Sequence, residues 1–263
     1  MSSIAYAIQD SSTMLRRNLR HMQRYPSLTL MLVGQPIVFL LLFVYVFGGT
    51  MGAGIAGVAS GRAEYLAYIT PGILAMTVAS VALGTALSVA MDMTEGIMAR
   101  FRTMDIARVS VLTGHVIGAM VQTAIALVVV VGVALLLGFR PTASPLDWLA
   151  ALAVLGIFAF ALTWLTVALG LASDSVETAS NTPLFLVLMP FLGSGFVPTE
   201  SMPTGLRWFA DYQPFTPVIE SVRGLLTGTP VGNDVMLALG WSVLIALGSY
   251  LWAKRLYNRD PKS

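Results

Sequence analysis

Apolar positions in this chain are gathered into blocks longer than a soluble helix or strand requires. Six runs contain no Asp, Glu, Lys or Arg: Leu28–Thr50, Tyr65–Met91, Val109–Phe139, Trp148–Ser173, Thr178–Val197 and Val235–Ala253. At about 1.5 Å per helical residue, each crosses a hydrocarbon core of roughly 30 Å, so the pattern predicts six membrane spans. The first run follows a long polar segment without a short apolar region or a small-residue cleavage site, which reads as a span and not a signal peptide.

Charge in the connections sets the orientation. Six spans put both termini on one side. With them lie Arg16, Arg17, Arg20, Arg24, Arg100, Arg102, Arg108, Lys254, Arg255, Arg259 and Lys262, eleven cations in all. The other side holds four, Arg62, Arg140, Arg207 and Arg223. The positive-inside rule then places both termini in the cytoplasm.

Composition narrows the function classes. Mean hydropathy is +0.79, with 56% hydrophobic and 11% charged residues, which excludes an ordinary soluble domain. The absence of Cys removes disulfide and thiolate–metal chemistry, and a net charge of +2 is too small to argue for nucleic acid. The charge-free spans carry more weight. Ion-driven carriers and proton pumps need an ionisable group inside the membrane to couple a gradient to movement. Uphill transport by this chain would draw its energy from elsewhere.

Outside and within the spans, several segments have local character. Residues 1–27 form a cytoplasmic segment in which Ile4, Ile8, Leu15, Leu19 and Met22 mark one helical face and Arg16, Arg20 and Arg24 another. This is an interfacial helix that serves as a membrane anchor or holds a cytoplasmic partner. Pro26 turns the chain into the membrane domain, residues 28–253, and residues 254–263 form a cytoplasmic tail. Gly48–Gly61 is a Gly- and Ala-rich external loop. The third run, of 31 residues, measures about 46 Å as a helix and must tilt, bend or project. Its Gly114 and Gly118 form a G-x-x-x-G pair that fits ordinary close packing. The fifth run holds Pro183 and Pro190 and ends in Gly193-Ser194-Gly195, which predicts a kinked helix.

Two segments stand out. In the cytoplasmic connection Asp92–Arg108, Asp92 is placed to cap a helix, Glu95 to complete a capping box and Arg100 and Arg102 to complement the far end. Ile97, Met98, Phe101 and Met104 give this short helix an apolar stripe. Physics alone leaves two placements for it, in a groove on another protein or flat on the membrane. The second segment, Phe196–Gly228, is apolar but interrupted by Pro198, Pro203, Pro214 and Pro217. It predicts two short helices, about Thr204–Tyr212 and Thr216–Leu226, dipping into the outer leaflet. Phe209 is among its apolar residues, Trp208 and Tyr212 suit the interface, and Glu220 pairs with Arg223 at i, i+3. A simple external cap is the competing reading.

At these two segments the chain resembles the ABC-2 family of exporter permeases, particularly its daunorubicin-resistance branch. The family's cytoplasmic pattern E-G-x-x-x-R-x-R-T-x-P-x-x-R is met by Glu95, Gly96, Arg100, Arg102, Thr103 and Arg108. The second signature is Phe196-Val197-Pro198, Met202-Pro203, Pro214-Phe215-Thr216-Pro217 and Glu220 through Leu226. Asp105 stands where the family usually has Pro, and His115 where Lys is common. A lone His at a helix end is expected to be solvated or locally bonded, and it is not read as a metal ligand.

The resemblance implies an all-α polytopic fold with an interface helix, a coupling helix at Asp92–Met104 and two re-entrant helices between spans five and six. It also implies two permease subunits, most simply a homodimer, and two ATP-binding subunits that carry ATP and Mg. The chain itself would bind no cofactor and contains no G-x-x-x-x-G-K-[ST] phosphate loop. Coupling would pass through Asp92, Glu95, Gly96, Met98, Arg100, Phe101, Arg102 and Met104. The substrate path would run between subunits along spans one, two and five. Gln35, Thr77, Ser80, Thr85, Ser88 and Asn181 are its candidate polar groups, and Phe39, Phe43, Met76 and Phe185 its apolar ones. A path without charge suits a hydrophobic or amphiphilic drug, antibiotic or lipid, with a glycolipid or polysaccharide as the alternative cargo. The competing classes are a gradient-driven carrier, for which the spans lack an ionisable group, and an intramembrane enzyme. For the latter, Asp92, Glu95, Asp174 and Glu177 read as cytoplasmic loop residues without a His partner nearby.

Overall fold

The computed structural model describes residues 26–49, 61–96 and 108–257, and among them every regular element is helical. Five helices are long and apolar enough to cross a membrane, and a sixth apolar stretch, Val176–Leu192, is built from shorter pieces. The interface-helix residues Arg16, Arg17, Arg20 and Arg24 lie outside the described residues, as do Met98, Arg100, Phe101, Arg102 and Met104 of the connection.

Helix α1, Pro26–Leu42, runs on into a π-helical turn, Phe43–Phe47. Helix α2, Arg62–Thr94, has 33 residues, about 50 Å at the usual rise. The described part of the third span, 29 residues from Arg108 to Leu136, also exceeds the bilayer, so both spans must tilt, bend or project. Helix α3 is Arg108–Leu136, and α4 is Pro145–Ala172. The fifth stretch comprises α5, Val176–Asn181, α6, Leu184–Leu188, and a 3₁₀ turn, Met189–Leu192. Pro183 and Pro190 stand at its two joints, so the anticipated kink is a division into three. Helices α7, Thr204–Tyr212, and α8, Phe215–Thr227, match the two short helices expected from sequence, and α9 is Asp234–Tyr257.

The bundle is organised around α2, which packs against α1, α3, α4, α5, α6 and α8. Small residues on α2 and its neighbours allow these approaches. A Cβ on Gly170 of α4 would stand 2.7 Å from the Ala86 carbonyl oxygen, and one on Gly84 of α2 would stand 2.5 Å from Leu32 Cδ1. The buried threonine hydroxyls inside α2 are satisfied along the helix, Thr70 donating to Leu66 O, Thr77 to Ile73 O and Thr85 to Val81 O, while Ser80 Oγ makes no hydrogen bond among the described residues. Such back-bonding lets a central helix carry polar residues without a partner from elsewhere.

The starts and stops of α3 and α4 are legible. After α3, Gly138 at φ +105° turns the chain, and Phe139 N–H closes back on Ala134 O. Ser144 then caps α4 in a reciprocal capping box with Asp147, and Pro145 occupies the first turn, where a missing N–H costs nothing.

Two apolar clusters form the core, and the smaller marks one end. The larger fills the body of the bundle and includes Phe139, Phe158, Phe196, Phe215 and Leu226. The smaller gathers Val89, Leu112, Val116, Trp164, Ala253 and Tyr257, from the last turns of α2, α4 and α9 and the first turns of α3. The 92–108 connection therefore leaves the bundle at one end, and α8 lies at the other, where Thr142 N–H donates to Leu226 O.

Candidate functional site

The α7–α8 end is assembled by prolines and glycines. Pro198 precedes a 3₁₀ turn, Thr199–Ser201, Pro203 precedes α7 and Pro214 precedes α8. Pro217 sits in the first turn of α8, where the N–H groups have no helical partner anyway. Helix α7 turns Trp208, Phe209 and Tyr212 outward, with Trp208 and Tyr212 rings 5.5 Å apart and Arg207 3.6 Å from Asp211. Helix α8 does the opposite. Phe215, Val218, Ile219, Val222 and Leu226 are buried, and Phe215 meets Phe158 edge-to-face at 4.9 Å. Gly228 ends it at φ +73°.

Arg223 connects α8 to the second span and to the turn that ends the fifth stretch. Its side chain is 11% exposed and pairs with the Glu220 carboxylate, as the sequence spacing predicts. The rest of its surroundings were not legible. Nε and Nη2 donate to Tyr68 O at 3.3 and 3.2 Å, Nη2 donates to Ser194 O at 2.6 Å, and the guanidinium lies 3.9 Å from the Tyr68 ring centre. Tyr68 Oη donates to the same Ser194 carbonyl at 3.1 Å. Tyr68 belongs to the turn of α2 that precedes Pro71, a residue that lacks an N–H and crowds the backbone before it. A buried charge is tolerated when its donors are used, and these are.

The turn that Arg223 reaches is packed backbone to backbone. A Cβ on Gly72 would overlap the Gly195 carbonyl, one on Gly195 would stand 2.6 Å from Pro190 O, and one on Gly193 would overlap Gln213. Gln213 is buried and donates through Nε2 to Met189 O at 3.0 Å. Thr216 Oγ1 donates to Ala210 O at 2.5 Å. Ser194 Oγ and Gln213 Oε1 make no hydrogen bond among the described residues. Gln213 and Tyr68 escaped the sequence reading because nothing local marks a residue whose partner is a distant carbonyl.

The proposed path residues separate into two groups. Phe39 and Phe43, with Phe47, line one side of α1 and its π turn and meet Phe191 and Phe196 at the end of the fifth stretch. Phe43 lies 4.7 Å from Phe196, Phe39 lies 5.5 Å from Phe191, and Phe191 stacks on Phe196 at 4.3 Å. Gln35 is half-buried, while Phe185 and Asn181 are exposed. Met76, Thr77, Ser80 and Thr85 are enclosed within the protomer, because α2 is the hub of the bundle and not one of its faces. Ser88 donates to Gly84 O. The first and fifth spans thus share an aromatic surface, and the second stands behind it.

At the other end the capping box anticipated at Asp92 and Glu95 is not formed. Helix α2 continues through Asp92 to Thr94, since no breaker occurs before Gly96, whose φ is +69°. Glu95 is its C-cap, donating its N–H to Met91 O at 2.9 Å. A carboxylate in a last helical turn is unfavourable to the dipole. Asp92 instead meets His115 of α3, with Oδ2 3.1 Å from Nε2 and both side chains about nine-tenths buried. The signal was present in sequence: two polar residues at facing ends of consecutive spans joined by a short connection stand at one level.

The similarity to known proteins spans both ends. The ABC-2 type transporter model matches residues 9–227. The chain is 32% identical over 259 residues to the daunorubicin resistance ABC transporter permease protein DrrB1 of Streptomyces coeruleorubidus, covering 97% of this chain and 89% of the relative. It is also similar to the probable doxorubicin resistance ABC transporter permease protein DrrC of Mycobacterium tuberculosis, at 29% over 178 residues, 64% of this chain and 63% of that one. With several apolar helices of spanning length, a proline-broken fifth stretch and the two signature segments at opposite ends, this multi-pass membrane chain belongs to the ABC-2 type transporter family, as a permease.

Proposed function

We propose that the chain is the membrane subunit of an ATP-driven exporter of hydrophobic or amphiphilic drugs. The observation that carries this reading is the match to a drug-resistance permease along 97% of the chain. ATP and Mg are held by a separate ATP-binding subunit, two copies of which serve two permeases, most simply a homodimer. Both termini and the 92–108 connection face the cytoplasm, as the cation distribution argues.

Each end then has a role. Met98, Arg100, Phe101, Arg102 and Met104 dock on the ATP-binding subunit, and Asp92, Glu95 and Gly96 join that segment to α2. Movement of the partner reaches the membrane domain through differential contacts at this segment. Arg16, Arg17, Arg20 and Arg24 hold the flanking interface helix to anionic head groups. Helices α7 and α8 close the outer end of a path between permeases. The surface that best suits an apolar cargo is the shared face of spans one and five, with Phe39 and Phe43 beside Phe191. The test is transport into inverted vesicles containing the chain and its ATP-binding subunit. Uptake of daunorubicin should stop when ATP is withheld and continue with an uncoupler. Uptake that continues without ATP and collapses with the uncoupler would replace this reading with a gradient-driven carrier.

A further inference from the structure

We infer that Arg223 is a positioning residue of the transport cycle, a latch that holds the outer ends of the second and fifth spans together through α8. The inference rests on the exporter reading above and gives its outer gate a specific fastening.

The fastening is made of groups that only a forked cation serves together. Arg223 reaches the Tyr68 carbonyl in the turn before Pro71, the Ser194 carbonyl in the turn after Pro190, and the Glu220 carboxylate on its own helix. The first carbonyl lies on α2, which runs unbroken through Pro71, and the second in the non-helical turn after the 3₁₀ piece Met189–Leu192, so Arg223 ties a continuous span to an interrupted one. Gly72 against Gly195 brings the two backbones together there and leaves no volume for a side chain between them. The Tyr68 ring stacks on the guanidinium and its hydroxyl shares the Ser194 carbonyl, which fixes the geometry. Charge-assisted bonds to carbonyls are strong when made and leave a costly charge when broken, which suits a junction with two discrete states. The unpaired Ser194 Oγ and Gln213 Oε1 lie at this turn, and a rearranged turn offers them partners that this arrangement does not.

A Lys at this position keeps the charge but presents a single ammonium, which cannot reproduce the fork. The chain has no Cys, so Ser194→Cys supplies a unique reporter on the turn itself. The full complex, with its ATP-binding subunit in lipid vesicles, is treated with a small maleimide with and without ATP. In the Ser194→Cys parent, labelling should be slow without ATP and faster with it. In Ser194→Cys with Arg223→Lys, labelling without ATP should rise about tenfold and lose its response to ATP. Basal ATP hydrolysis should persist while export is lost. Arg223→Gln should behave in the same way.

Slow, ATP-responsive labelling in either Arg223 variant, or normal export by it, overturns the latch. So does a parent complex that binds its partner but labels without regard to ATP. Loss of the Lys variant from the membrane together with its partner assigns Arg223 to folding alone and also overturns it. A parent that binds no ATP-binding subunit refutes the exporter reading itself, and the latch with it.

Discussion

His115 of α3 holds Asp92 of α2 at 3.1 Å, in a setting where each side chain is about nine-tenths removed from solvent. The pair fastens the two helices at the point where the 92–108 connection leaves them, so a force applied to that connection reaches two spans at once. Removing one partner leaves the other polar group buried with fewer bonds, a loss of about 1–3 kcal/mol. His115→Ala should therefore lower the thermal midpoint of the purified protein by several degrees. His115→Lys, the residue common in the family, should recover most of that loss because an ammonium there also donates to Asp92. An Ala variant as stable as the parent would show that the pair contributes nothing.

The glycine contacts make a prediction of opposite signs. Gly72 faces the Gly195 backbone, whereas Gly156 on α4 has open space where a Cβ would stand. Gly72→Ala forces two backbones apart and should cost about 1–3 kcal/mol, the usual penalty of overpacking. Gly156→Ala should be neutral or stabilising by up to about 1 kcal/mol through helix propensity. Thermal unfolding of the two variants side by side checks this, and equal effects would contradict the close approach.

The start of α4 offers a smaller, local effect. Ser144 accepts from Asp147 N–H at 3.3 Å and donates to the Asp147 carboxylate at 2.7 Å. Ser144→Ala removes this cap and should destabilise by about 0.5–2 kcal/mol. The loss should appear in hydrogen exchange as faster opening confined to the first turns of α4. Exchange unchanged there would place the helix start under tertiary control instead.

Aromatic pairing between α1 and the fifth stretch is the next test. Phe196 is almost fully buried and stacks on Phe191, which itself meets Phe39. Phe196→Ala should cost about 3–5 kcal/mol, as large core truncations do. Phe39→Leu, at a half-buried position, should spare stability and reduce daunorubicin transport. Full transport by a stable Phe39→Leu variant would remove that face from the path.

Legibility from sequence followed the range of the interactions. Long apolar runs and prolines act locally, and they yielded the five helices of spanning length among the described residues and the short helices α7 and α8, to within one residue of Thr204–Tyr212 and Phe215–Thr227. The segment at Asp92 was misread because a carboxylate followed three residues later by Glu is also what a helix can carry past its apolar run, and the breaker at Gly96 decides where it ends. Arg223 was seen as half of an i, i+3 pair, since the carbonyls of Tyr68 and Ser194 are side-chain-independent acceptors 155 and 29 residues away. Burial of Met76, Thr77 and Ser80 depended on which helix occupies the centre, a property of the whole assembly.

In the proposed mechanism, energy enters through the connection beyond Asp92, from a separate ATP-binding subunit. Affinity purification of the tagged chain from membranes, with quantification of the ATP-binding subunit it retains, addresses this directly. The parent should retain the partner, and Phe101→Asp and Arg102→Asp should each lose it while the amount of chain in the membrane is unchanged. Undiminished retention of the partner by both variants would contradict this route of coupling.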